Sequence, residues 1–284
     1  MQHKEFTSKY ESYKLYGEYW MPKGCKAMVL LVHGMGEHLG RYKDFMISEL
    51  LAKHIGVLAY DNFGHGNSSG KRGHCPGYPQ LMEVLDIMFK KTKDVASSLP
   101  VFIYGHSMGG NLVVNYLLKN QPDVKGSILS SPFLKLAFEP PEWKIFLGKV
   151  FQKIAPSITL PTGLDPKWIS KLPEEVEKYK LDPLVHDMVS PNFSISVMKA
   201  GLWALENAKI LNTPTLILHG TDDELTDHQS SIEFAKKAKL AELALFDKGF
   251  HELHNDLERD KVLQIITDWI EAHIKTEALA DHSK

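Results

Sequence analysis

Val101-Phe-Ile-Tyr-Gly105-His106-Ser107-Met108-Gly109-Gly110 is the stretch on which the reading of the whole chain turns. Its first four residues form an apolar run ending at glycine, and residues 111–119 follow with a helical pattern. The link between them is Gly-x-Ser-x-Gly, the arrangement of a nucleophile elbow. A strand that turns sharply into a helix holds the serine in a strained backbone conformation, and side chains at the flanking glycines would collide with neighbouring backbone. Ser107 is therefore the candidate nucleophile. The pentapeptide alone is weak: with Gly and Ser each near ~7% of residues, about one chain in ten of this length would contain it by chance. Its surroundings must supply the specificity.

On either side of this stretch, short apolar runs recur at 27–32, 57–60, 101–104, 127–129, 215–218 and 243–246, and read as buried strands. Helical patterns lie between them at 42–54, 80–97, 111–119, 229–239 and 261–274. Alternating strands and helices imply an α/β fold with a mostly parallel sheet covered on both faces. The rhythm breaks at 133–204, where prolines punctuate short helical pieces and no strand run is evident. The expected organisation is a core of residues 1–132 and 205–284 interrupted by a helical cap at 133–204. Within the insertion, Trp143, Phe146, Leu147, Val150, Phe151 and Ile154 share one helical face, with Lys144, Lys149 and Lys153 elsewhere around it. Such a face either packs on the core or meets a membrane or an acyl chain, and both readings stay open.

A serine hydroxyl needs an adjacent imidazole to take its proton and a carboxylate to orient that imidazole. His251 is the best-placed base, shortly after the 243–246 run and a turn containing Gly249. The acid belongs to the loop after 215–218, where Asp222, Asp223, Glu224 and Asp227 all reach the carboxyl edge of the sheet. The order serine, acid, histidine is the one this kind of elbow requires. The glycine-bearing loop His33-Gly-Met35-Gly-Glu37-His38 follows the first strand, and together with the elbow it implies an oxyanion hole formed by the Met35 and Met108 N–H groups. His251 and His254 lack the His-Glu-x-x-His pattern and have no nearby cysteine, which argues against zinc. No metal or organic cofactor is called for.

Composition narrows the setting. The 284 residues carry 33 basic and 35 acidic side chains, a formal charge of -2, which gives no footprint for nucleic acid or another polyanion. Two cysteines, Cys25 and Cys75, are too few for a disulfide framework and suit a reducing compartment, so a cytoplasmic location is expected. No run approaches the roughly 18 apolar residues of a membrane span. Any membrane contact would be peripheral, through the cap. Nothing in the sequence specifies an oligomer.

Several motifs together resemble the monoacylglycerol lipase family, also labelled lysophospholipase or serine aminopeptidase-like. They are His33-Gly-Met-Gly-Glu-His38 with Gly40-Arg41-Tyr42, Asp61-x-x-Gly-His-Gly-x-Ser68, Gly105-His-Ser-Met-Gly-Gly110 and Tyr179-x-x-Asp-Pro-Leu184. The likeness extends over residues 13–274. It implies the α/β-hydrolase fold and the triad Ser107, Asp223 and His251, selecting Asp223 among the four acids. It further implies a small acyl-lipid substrate, an apolar tunnel under the cap, and a polar pocket for a glycerol head group at Glu37, Arg41, His106, Tyr179 and His254. The chain departs from the family at Met35, where a smaller residue is common.

Overall fold

The runs at 27–32, 55–60 and 101–106 are buried along their whole length, as strands covered on both faces must be, whereas the run at 243–246, expected to be buried, lies on the outer strand of the sheet and buries only Phe246. The computed structural model describes residues 1–281. Its strands are β1 (Gln2–Tyr10), β2 (Tyr13–Met21), β3 (Ala27–Val32), β4 (Ile55–Tyr60), β5 (Val101–His106), β6 (Gly126–Ser130), β7 (Leu160–Pro161), β8 (Met188–Val189), β9 (Thr215–Gly220) and β10 (Ala241–Phe246). Its α-helices are α1 (Ser48–Ala52), α2 (Tyr78–Ala96), α3 (Met108–Asn120), α4 (Glu142–Ile154), α5 (Pro173–Leu181), α6 (Pro191–Asn207), α7 (His228–Lys237) and α8 (Arg259–Asp281). Eight strands form one sheet in the order β1-β2-β4-β3-β5-β6-β9-β10. The six from β4 to β10 run parallel, and β1 and β2 add an antiparallel edge. This is the α/β-hydrolase architecture.

From β3 the chain moves to one side for β4 and then to the other for β5, so the strand order reverses at β3. The crevice at the carboxyl ends of β3 and β5 is where open α/β sheets bind their ligands. Ser107 closes β5 there, and the loop beginning at His33 leaves β3 beside it.

Three further features differ from the sequence reading. The β1–β2 hairpin was not expected, because β1 is an edge strand whose side chains are largely exposed, and an edge needs no apolar run. The helix expected at 42–54 is instead a 3₁₀ turn (Leu39–Tyr42), a π-helical turn (Lys43–Ile47) and the short α1, a widened path that buries Leu39, Tyr42, Met46, Ile47 and Leu50 on one side. The insertion between β6 and β9 does contain strands, the two-residue antiparallel pair β7–β8.

The last helix of that insertion, α6, belongs to the main core. Phe193, Val197, Ala200 and Ala204 are buried with the α2 and α3 side chains. Asn111 Nδ2 and Asn115 Nδ2 on α3 donate to the carbonyls of Val197 and Ala200 at 3.1 Å each. A Cβ on Gly201 would stand 2.3 Å from the Leu134 carbonyl oxygen, so glycine is what lets α6 seat this closely. By contrast α4 buries no residue: Trp143 and Phe146 are more than 60% exposed, and the helix rests on α6 near Gly148 and Ile195.

Candidate active site

Ser107 has φ 53° and ψ −115°, a conformation costly for a residue with a side chain. Surrounding bonds hold it there. Its N–H donates to Ser130 O at 2.9 Å, and its carbonyl accepts from Asn111 N at 3.0 Å and Phe133 N at 2.9 Å. The motif glycines are explained by close approach: a Cβ on Gly105 would lie 2.5 Å from Gly109 O, and one on Gly109 would lie 2.1 Å from Val32 O. Met108 is the first residue of α3, so its N–H has no intrahelical acceptor and remains available above the helix N-terminus.

His251 sits in the loop after β10, pinned by Ser131 Oγ donating to its carbonyl at 2.8 Å. The next residue, Glu252, donates its N–H to Ile169 O in the insertion at 2.7 Å. His251 Nδ1 lies 2.7 Å from Asp223 Oδ2. Asp223 Oδ1 accepts from the Leu225 and Thr226 N–H groups at 2.8 and 2.9 Å, and Oδ2 accepts from Thr226 Oγ1 at 2.9 Å. Of the four acids in this loop, Asp222 and Glu224 are exposed and Asp227 caps α7 through Gln229 N and Ser230 N. Only Asp223 is buried against the imidazole.

Electrostatics reinforce the pairing. Burial alone would depress the His251 pKa, but the Asp223 charge and hydrogen bond, with Glu252 and Glu37 behind them, raise it above the ordinary value. For Asp223 burial works against ionisation, and the charges and hydrogen bonds of His251 and His219 overcome it, leaving the carboxyl well below the usual range. The pair is built to favour an imidazolium held by a carboxylate.

Ser107 and His251 open onto one cavity of about 240 Å³. Its walls are mostly apolar, with Met35, Phe133, Leu136, Ile169, Val197 and Leu225 among them, while Glu37, His106, Tyr179, His186 and Glu252 supply polar groups. Three of the five head-group candidates, Glu37, His106 and Tyr179, therefore line it. The other two stand behind the wall. Arg41 is locked to Glu252 by two bonds of 2.5 and 2.7 Å, to Glu37 by one of 3.1 Å, and lies over the Tyr179 ring at 4.7 Å. His254 stacks on Tyr42 with ring centroids 4.6 Å apart and edges onto His106 at 4.9 Å.

This cluster distributes one positive charge over two buried carboxylates. Burial would raise Glu252, and the Arg41 charge and hydrogen bonds reverse that, bringing it to about 2. Glu37 is raised, because its burial and the neighbouring Glu252 outweigh Arg41. His254, chiefly through burial, is pushed down to about 4. Burial, with the charges of His251 and His254, puts His106 well below its ordinary value. Both histidines are neutral at physiological pH.

Sequence reasoning passed over Glu252 and Thr226, both of which line the cavity. A glutamate beside the base carries no spacing signal, and Thr226 matters only because the loop folds it back onto Asp223. Among the described residues no group of His, Cys, Asp and Glu is arranged to hold a metal ion.

A strained serine on the β5–α3 turn and a buried Asp–His pair on the loops after β9 and β10 define an α/β-hydrolase of the serine type. The family described as "Serine aminopeptidase, S33" matches residues 23–258. Human monoglyceride lipase is 30% identical over 94% of this chain and 89% of its own length. A solved monoacylglycerol lipase from Paleococcus ferrophilus is 33% identical, superposes with a TM-score of 0.84, and is matched over 91% of this chain and 99% of its own. The chain is also 33% identical to an abhydrolase domain-containing protein of Dictyostelium discoideum, over 90% of this chain, though it spans only 27% of that longer protein. The chain belongs to the monoacylglycerol lipase family and is a carboxylic ester hydrolase.

Proposed function

We propose that the protein hydrolyses monoacylglycerols to fatty acid and glycerol through an acyl-enzyme on Ser107. The observation that carries this reading is the shared cavity: a strained serine and an Asp-oriented imidazole open onto a mostly apolar chamber with polar groups beside them. Ser107 Oγ attacks the ester carbonyl as His251 Nε2 takes its proton. The Met35 and Met108 N–H groups receive the oxyanion. On collapse, glycerol leaves with the proton from His251, and water repeats the two steps on the acyl-enzyme. An Asp-held imidazolium and fixed backbone donors are stabilised most as charge develops, which is where binding energy accelerates the reaction.

The polar groups favour a neutral head group. Glu37 and Glu252 line the cavity, and the Arg41 guanidinium beside them is already engaged by both. A phosphate about 5 Å from one ionised carboxylate would be opposed by about 3 kcal/mol at an effective dielectric of ~20. Free hydroxyls suit Glu37, His106 and Tyr179 better, since each then gains a partner when desolvated. Arg41 and His254 serve this pocket from behind by holding Glu37, Tyr179 and His106.

The insertion at 133–204 acts as a cap anchored by α6, and α4 is its membrane-facing element. Trp143, Phe146, Leu147 and Ile154 form an exposed apolar face with Lys144, Lys149 and Lys153 nearby, a composition that partitions into an anionic lipid surface. No helix among the described residues is long and apolar enough to cross a membrane. Peripheral contact would place the chamber where the acyl lipid resides.

The test is hydrolysis of 1-oleoylglycerol, lysophosphatidylcholine, short p-nitrophenyl esters and aminoacyl amides by one preparation. Monoacylglycerol should exceed lysophosphatidylcholine and the amides in kcat/KM by at least about tenfold. A preference for lysophosphatidylcholine would make the protein a lysophospholipase with the same triad, and a preference for amides would overturn the lipid assignment.

A further inference from the structure

The loop that carries the Met35 N–H is Gly34-Met35-Gly36, a sequence with unusual freedom to rotate its peptide planes. An oxyanion donor is effective only when it is fixed in direction before the charge develops. Something must hold this peptide.

Two side chains grip Gly34 on opposite sides. Glu37 Oε1 accepts from Gly34 N at 2.6 Å, and Tyr42 Oη donates to the same oxygen at 2.7 Å. His33 Nδ1 meets Gly34 O at 2.7 Å. The direction of this second bond is settled by the far side of the ring, where the Asn62 backbone N–H donates to His33 Nε2 at 3.0 Å. Nε2 is thus the acceptor, so Nδ1 carries the proton and donates to the Gly34 carbonyl. Asn62 is held in turn by the loop that follows β4, in which Asp61 accepts from Leu39 N at 2.9 Å and Asn67 N at 2.8 Å.

In a planar trans peptide the carbonyl and the following N–H point in opposite directions. With Gly34 O held by His33, the Met35 N–H faces the other way. Gly34 packs against the elbow: a Cβ placed on it would lie 3.3 Å from Ser107 Cβ and 3.2 Å from His106 Cδ2. We propose that His33 is a positioning residue that locks the Gly34–Met35 peptide with its N–H toward Ser107, and that the Asn62 N–H sets the histidine tautomer this requires. The proposal rests on the reading that Met35 N–H is an oxyanion donor. It also assigns a task to the Asp61-x-x-Gly-His-Gly-x-Ser68 motif, which otherwise has none in the chemistry. The ring is fully buried, and burial pushes its pKa down to about 3, so it stays in the neutral donor form across the working pH range.

Two substitutions separate the bonds. Asn at position 33 places its amide nitrogen where Nδ1 stands and can keep the bond to Gly34 O, whereas Gln reaches the Nε2 position and loses that bond. With 1-oleoylglycerol, His33→Gln should lower kcat by about ten- to a hundredfold with KM within about threefold, since losing an oxyanion donor outright costs on the order of 10²–10³. Affinity for an alkylboronic acid, whose tetrahedral adduct places an oxygen in the oxyanion hole, should fall in parallel. His33→Asn should recover most of both. A His33→Gln enzyme within threefold of wild type, or a His33→Asn enzyme equally impaired, would overturn the proposal.

Should His33→Gln fail to fold, a long-range ¹H–¹⁵N correlation of the wild-type imidazoles decides: a proton on His33 Nδ1 is expected, and one on Nε2 would overturn it. Ser107→Ala is assayed alongside. Residual hydrolysis there would remove the serine mechanism itself, whereas serine-dependent hydrolysis insensitive to His33 removes only this inference.

Discussion

Replacing Arg41 by Met should destabilise the protein by about 3 kcal/mol at pH 7, and by less as the medium is acidified. Arg41 and Glu252 have side chains 6% and 4% exposed and are joined by two hydrogen bonds, with Glu37 on the same guanidinium. The Glu252 carboxyl is lowered from 4.5 to about 2, which at about 1.4 kcal/mol per pKa unit corresponds to about 3 kcal/mol of stabilisation at neutral pH. That agrees with the ~3–5 kcal/mol found when one partner of a buried pair is removed and the other is left as an uncompensated charge. Because the folded pKa lies below the unfolded one, this stabilisation is complete above the unfolded value and is lost as pH falls from about 4.5 through about 2. Protonation also relieves the buried carboxylates that the variant leaves unpaired, so the gap between wild type and Arg41→Met should narrow below about pH 4.5. Urea unfolding at a series of pH values measures both effects, and the melting temperature at pH 7 should drop on the order of 5–10 °C. A loss under about 1 kcal/mol, or one that does not shrink in acid, would show that Arg41 does not compensate the buried Glu252 charge.

The base must be neutral to accept the serine proton, and the His251 pKa is raised, so kcat/KM should climb with pH through an apparent pKa above 6.5; a midpoint clearly below that would contradict the Asp223 contact. Asp223→Asn should cut kcat by roughly 10⁴-fold and move the acid limb of any remaining activity to lower pH, as read from the same profiles. Gly109→Ala drives a methyl to 2.1 Å from Val32 O and should abolish labelling by a fluorophosphonate, whereas Gly163→Ala, with nothing within 4 Å and only φ 73° to accommodate, should cost about 1 kcal/mol and leave labelling intact. Trp143→Ser with Phe146→Ser removes two exposed rings worth roughly 1.5–3 kcal/mol each on burial in lipid, so cosedimentation with anionic vesicles should fall at least about tenfold while hydrolysis of a short soluble ester is unchanged.

How much of this was legible in the sequence depended on where each residue's energy comes from. The parallel strands announced themselves because burial on both faces demands unbroken apolar runs, as in Met28 to Val32. The β1–β2 hairpin did not, since an edge strand can be held by backbone pairing alone. Ser107 and His251 stand out from chain order and from the glycines that crowding requires, whereas Asp223 is selected from its neighbours only through the family motifs; the burial and the Thr226 contact that single it out physically are displayed only by the folded loop. The head-group candidates divided for a similar reason. Glu37, His106 and Tyr179 reach the chamber, whereas Arg41 is drawn away by Glu252, a partner 211 residues distant in sequence. Periodicity located α4 and its apolar face, yet could not say that the face would be left exposed, because that depends on α6 occupying the core beneath it.

Quenching wild type and Ser107→Ala in acid during turnover of 1-oleoylglycerol, and mapping any acyl adduct by mass spectrometry, tests whether the reaction passes through an ester on Ser107. An oleoyl ester on the peptide containing Ser107 in wild type, with no adduct and no glycerol release in the variant, is the predicted result. Glycerol release by Ser107→Ala, or an adduct on another residue, would contradict it.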